Sequence, residues 1–218
     1  MSSFEDDLSN STTDFERVVG PVLKDWTGGR NVSVEASTDS ELADELDQTA
    51  GVDAWNIKSD DIVRGIGSRI QYLSSSKLET PADTFTVRKE RQSGAKTEYE
   101  KRLHAIQNGG VYPHWTTQAY LTEPQGELLS LARVRTKDLI FHIKNGEEGP
   151  GEDYTVVEPG GEASFYVVNW WRLQEVGVGV RTTKPYKDDS GSSAENDQYQ
   201  KGLFDFATDG GETGEDSA

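Results

Sequence analysis

The chain has 218 residues, with 39 acidic against 22 basic side chains, a formal charge of −17, a pI near 4.5, a mean hydropathy of −0.72 and no cysteine. That length accommodates one domain with tails, and the lack of cysteine excludes disulfide scaffolds, thiol catalysis and Cys-ligated zinc or iron–sulfur centres. No run reaches the roughly 18 to 20 apolar residues of a membrane span, and residues 1–10 lack the basic start and apolar stretch of a signal peptide, so a soluble cytoplasmic protein is expected.

The charge is uneven along the chain. Residues 64–144 hold 13 Lys and Arg against 8 acids, a local net of +5, which leaves −22 for the remainder. Acidic flanks around a basic middle fit a halophilic protein, solvated by its own charge, that binds a polyanion.

In chain order, residues 1–12 read as a flexible N-terminus, 13–182 as a patterned domain and 183–218 as a disordered acidic tail. Thr13 followed by Glu16 reads as a capping box, and Phe15, Val18, Val19, Val22, Leu23 and Trp26 keep helical spacing, so a helix is expected over about 14–26 with a kink or early end at Pro21. Strand patterning follows at 31–36, 52–57, 62–73 and 84–90, with an acidic helix or loop at 41–48 between the first two. Thr97 and Glu100 form a second capping box, opening a helix to about residue 108. A strand pair is expected at 115–121 and 128–134, then a helix over 136–144 closed by Asn145-Gly146, a strand at 165–168 and an amphipathic stretch at 169–176. This order predicts an α/β fold, with α+β as the alternative, built on a central mixed sheet flanked by helices.

His104, His114 and His142 are dispersed, which argues against a zinc or Ser/His/Asp enzyme, and Gly65-Ile66-Gly67 lacks the Lys and following helix of a phosphate loop. The informative stretch is 46–91. Asp53 follows Gly51 at a strand start, Arg69 and Gln71 share one face of the next strand, and Arg88, Lys89 and Arg91 load the one after.

Glu16 on the first helix, Asp53 at the strand start and the strand around Arg69 and Gln71 resemble, in order and rough spacing over 13–92, the PD-(D/E)XK nuclease superfamily, whose members include restriction-endonuclease-like and Holliday-junction-resolvase-like proteins. The resemblance implies a restriction-endonuclease-like core and a Mg²⁺- or Mn²⁺-dependent DNA phosphodiesterase. Its metal ligands would be Glu16, Asp53 and Gln71, and its catalytic cations Arg69 and Lys89, since hard oxygen donors hold such a metal and a cation neutralises charge on the scissile phosphate. The pattern is departed from at Gly67, which occupies the expected Glu/Gln position, and at Arg69, which occupies that of the Lys. Arginine grips phosphate but does not deprotonate. The alternative is therefore a non-catalytic nucleic-acid-binding or adaptor protein with a degenerate nuclease fold. In either case Arg69, Arg88, Lys89, Arg91 and Lys96 are the expected phosphate contacts, to DNA in the first instance and RNA as the alternative, with a homodimer expected if two strands are engaged symmetrically.

In the tail, Gln200, Leu203 and Phe206 stand at the spacing of the clamp-binding box, with Phe204 adding apolar area and Ala207 replacing the second aromatic. This resembles segments that dock on the archaeal sliding clamp, which makes the clamp an expected partner through 200–207 and the protein one of DNA replication, repair or recombination.

Overall fold

The computed structural model describes residues 10–34, 52–58, 63–73, 83–148, 154–157 and 163–184. The expected segment 41–48 and the clamp-like box with Gln200, Leu203, Phe204 and Phe206 lie outside them.

Helix α1 spans residues 10–27. Residues 10–14 are α-helical, Phe15–Val19 form a π turn, and Gly20–Thr27 resume the α-helix. Proline lacks an N–H and its ring crowds the carbonyl four residues back. The wider turn just before Pro21, closed by the Gly20 N–H on the Phe15 carbonyl, carries it inside a helix that continues to Thr27, so the helix does not end early at Pro21. The box at Thr13 and Glu16 does not form, because the chain is already helical at residue 10 and Glu16 lies exposed on the second turn. Asp14 is instead fully buried, and its carboxylate accepts the Gln125 N–H (3.0 Å to each oxygen) and the Tyr72 hydroxyl (3.0 Å).

Nine strands are described: β1 (Arg30–Ser33), β2 (Ala54–Ile57), β3 (Val63–Tyr72), β4 (Thr84–Arg91), β5 (Trp115–Leu121), β6 (Leu128–Arg135), β7 (Thr155–Val157), β8 (Ala163–Asn169) and β9 (Val180–Thr182). Six form a mixed sheet in the order β1-β2-β3-β5-β6-β9, in which β3 and β5 are the parallel pair and the other neighbours are antiparallel. A smaller antiparallel sheet has the order β4-β8-β7. The protein is thus α/β, with a central mixed sheet flanked by helices, as its element order predicts. The short strands β7 and β9 were not expected from the sequence.

Three further helices are α2 (Glu98–Asn108), α3 (Thr136–Glu148) and α4 (Trp170–Glu175). The capping box that opens α2 forms as predicted: the Glu100 N–H donates to Thr97 Oγ1 and the Thr97 N–H to the Glu100 carboxylate (2.8 Å), while Gly109 ends the helix at φ 70°. Asn169 caps α4 by accepting the Trp171 and Arg172 N–H groups. Helix α3 runs past the expected stop at Asn145-Gly146. A mid-helix glycine costs only about 1 kcal/mol, and here Glu147 in the last turn accepts hydroxyl bonds from Tyr99 (2.6 Å) and Tyr166.

The alternation of side chains along β3 and β5 divides the core. On one face Phe15, Val19 and Leu23 of α1 pack on Ala54, Ile66, Trp115, Ala119, Leu121 and Leu131. On the other, Tyr120, Ala132 and Val134 meet α3 (Leu139, Ile140, Ile143), the small sheet (Phe85, Val87, Tyr166, Val168) and Trp170. Each fully buried Val, Leu, Ile or Phe side chain here contributes about 1.5–3 kcal/mol.

Candidate nucleic-acid interface

Arg69 and Gln71 share the face of β3 that looks toward the small sheet, as their i, i+2 spacing predicts. Gln71 accepts a bond from Gln118 Nε2 of β5 (3.2 Å), and Gln118 Oε1 accepts from the Thr86 N–H (3.3 Å) and hydroxyl (3.1 Å) on β4. Gln118, 1% exposed, thereby satisfies a backbone donor on the edge of β4 that does not face β8.

Beside this chain of amides lies a cationic group. The Arg69 guanidinium sits over the Phe165 ring at 4.7 Å and that of Arg88 over the same ring at 5.5 Å, a geometry that favours both cations. Glu98 at the start of α2 pairs with Arg69 (3.8 Å) and with buried Arg102, whose Nη1 also donates to Thr116 Oγ1 (3.2 Å). Burial first, then Arg91 and Arg69, holds the Arg88 pKa below its ordinary value. Burial likewise lowers Arg69, opposed by Glu98. The Glu98 carboxylate thus serves Arg69, Arg102 and, at longer range, Arg88, and Arg91 continues the positive edge to solvent, with Lys96 exposed in the loop that follows.

Lys89 is separated from this group. The β4–β8 register shifts between Arg88 and Glu90, and the Lys89 ammonium lies over the Tyr166 ring (5.7 Å) and near Glu90 (3.7 Å). Arg88, its neighbour, turns to Phe165.

The three residues expected to hold a metal do not meet. Asp53 lies just before β2, and its Oδ2 accepts the backbone N–H of Ser68 on β3 (2.5 Å). Gln71 is on the small-sheet face, bonded to Gln118. Glu16 is exposed on α1, which covers the opposite face. Among the described residues no group of three His, Cys, Asp or Glu side chains is placed to hold a metal ion, so the residues do not fit the Mg²⁺ centre that the resemblance implies. Arg69 lies close enough to Asp53 for the carboxylate to favour its charge.

A second cationic group lies on the α1 face, among residues that sequence reasoning left without a role. Arg133 is 9% exposed and stacks on the Trp115 ring at 4.3 Å, and His114 meets the same ring edge-on at 4.7 Å. Burial, then Arg181, Arg64 and Arg135, lowers the Arg133 pKa to about 10. Burial and the charges of Arg64, Arg135 and Arg133 lower that of His114 to about 4. The available sequence signal was the alternation Arg133-Val134-Arg135 beside the Trp115 strand, which places both cations on one face.

No protein-family model matches the chain, and neither curated proteins nor solved structures gave a match. No helix among the described residues is long and apolar enough to cross a membrane.

Proposed function

We propose that the protein binds nucleic acid, DNA in the first instance, through the Arg69, Arg88 and Arg91 edge, as a non-hydrolytic relative of the nuclease-like fold. The observation that carries this reading is the convergence of Arg69 and Arg88 on the Phe165 ring, where burial and the ring pre-organise two guanidinium forks. The dispersal of Glu16, Asp53 and Gln71 favours binding over cleavage. The acidic flanks then serve solvation in concentrated salt, and the segment with Gln200, Leu203, Phe204 and Phe206 tethers the protein to a sliding clamp at DNA, raising its effective concentration there.

Fluorescence anisotropy with duplex, branched and single-stranded DNA and with RNA, over a range of salt, tests the reading. Arg88→Ala and Arg91→Ala are each expected to weaken binding and to reduce the slope of log K against log salt by about 1 for each phosphate no longer neutralised. Affinity unchanged in both variants would overturn it. Loss of clamp binding in a peptide of residues 197–210 on Phe206→Ala is the expected result for the tether.

The proximity of Asp53 to Arg69 favours one second reading, a nuclease whose carboxylate and cation act on the scissile phosphate. Cleavage of the same DNA with Mg²⁺ or Mn²⁺, abolished by Asp53→Asn, is its signature.

A further inference from the structure

The α1 face of the large sheet carries a row of polar residues across four strands. Ser68 on β3 is in register with Thr117 on β5, Thr117 with Arg133 on β6, and Arg133 with Arg181 on β9. One step along, Trp115 stands opposite both Ile66 and Arg135, and Arg64 lies on the same face of β3 as Ile66.

Two properties of this row are costly without a ligand. Thr117 Oγ1 and Ser68 Oγ are buried hydroxyls with no hydrogen-bond partner among the described residues, and Trp115 Nε1 is a third such donor. Thr117 is 1% exposed and Arg133 9%. Among the described residues no carboxylate pairs with buried Arg133, although a buried charge is ordinarily compensated, nor with half-buried Arg64 or exposed Arg135 and Arg181 beside it. Arg181 uses one donor on the Trp26 carbonyl (3.2 Å) and lies over the Trp26 ring at 5.3 Å, which fixes it beside the end of α1.

We propose that Arg64, Arg133, Arg135 and Arg181, with the hydroxyls of Ser68 and Thr117, form a site for a phosphate group. A tetrahedral oxyanion with several acceptor oxygens and up to two charges matches four guanidinium forks and two hydroxyl donors better than a single carboxylate or halide does. The ligand carries its phosphate either as a nucleic-acid strand end or as a free phosphate or small phosphoester. The site lies on the opposite face of the sheet from the Arg69 and Arg88 edge and stands independently of the nucleic-acid reading.

Inorganic phosphate is the first probe, titrated into the full-length protein at fixed ionic strength with chloride as reference. Heat and the NMR shifts of the His114 ring report binding. Saturable binding is expected, weakened at least tenfold by Arg135→Ala, which alters an exposed side chain, and severalfold by Thr117→Val, which keeps the volume and removes the hydroxyl. Arg172→Ala, at a surface pair with Glu175, is expected to bind as wild type. Phosphate indistinguishable from chloride, or wild-type binding in both site variants, would overturn the assignment. A 5′-phosphorylated oligonucleotide that binds at least tenfold tighter than its 5′-hydroxyl counterpart, with the advantage lost in Arg135→Ala, identifies a strand end as the source. Equal binding of the two oligonucleotides, with phosphate binding retained, identifies a free phosphate or phosphoester and equally supports the site.

Discussion

The carboxylate of Asp53 accepts the backbone N–H of Ser68, extending the β2–β3 ladder beyond the pair Ala54 and Ile66. A side chain thus satisfies a strand donor at the point where β2 has ended. Such a bond to a charged acceptor is worth about 1.5–3 kcal/mol. Asp53→Ala is expected to destabilise the protein by about that amount in urea denaturation, with Asp53→Asn retaining part of the bond. A loss below about 0.5 kcal/mol in Asp53→Ala would remove the structural role.

Glu16 is exposed on the covered side of the large sheet, away from Gln71. Glu16→Gln is expected to change stability by no more than about 0.5 kcal/mol and to leave any Mg²⁺ heat in calorimetry unaltered. A Mg²⁺ affinity that falls tenfold in Glu16→Gln would restore the metal set.

Gln118 joins β3, β5 and β4 from a position that is 1% exposed. Gln118→Leu keeps the approximate volume but leaves the Thr86 N–H and hydroxyl without their acceptor, at a cost of about 1–3 kcal/mol for the backbone donor. Thermal unfolding measures it. Thr86→Val alone is expected to cost less, because the Thr86 N–H keeps its bond.

His114 titrates in the folded protein at about 4, below its ordinary 6.5, because burial and the charges of Arg64, Arg135 and Arg133 oppose its protonation. The unfolded chain binds the proton first as pH falls. The stability contribution of a neutral His114 is therefore complete above about pH 6.5 and is lost as pH falls toward 4. His114→Asn is expected to flatten the stability curve over that window in urea titrations at successive pH values. An unchanged slope would contradict the assignment.

The elements visible in the sequence are those whose signals are local. Alternation marks β5, capping chemistry marks the start of α2, and the spacing of Arg69 and Gln71 places them on one face. The helix start at Thr13 misleads because the chain is already helical at residue 10 and Asp14, one of the two residues inside the box, is held inward by Gln125, more than a hundred positions away. Lys89 is misplaced by a one-residue bulge, which alternation alone does not reveal. The arginine row escapes notice for a topological reason. Its members come from β3, β6 and β9, and β9 is three residues long with no periodic signal. Only strand order brings Arg133 beside both Thr117 and Arg181.

The parallel seam between β3 and β5 has a kinetic consequence. It joins the antiparallel strands β1, β2 and β3 to the antiparallel strands β5, β6 and β9, through partners such as Ile66 and Trp115 that are distant along the chain. The pairs β2–β3 and β5–β6 are close along the chain, whereas the seam must first gather the segment that carries β4 and α2, and β9 reaches β6 only across α3, β7, β8 and α4. Seam closure and the docking of β9 on β6 thus carry the larger loop-closure costs of this sheet. Substitutions along Ile66, Ile70 and Ala119 are expected to alter the folding rate more than those at the outer strand β1.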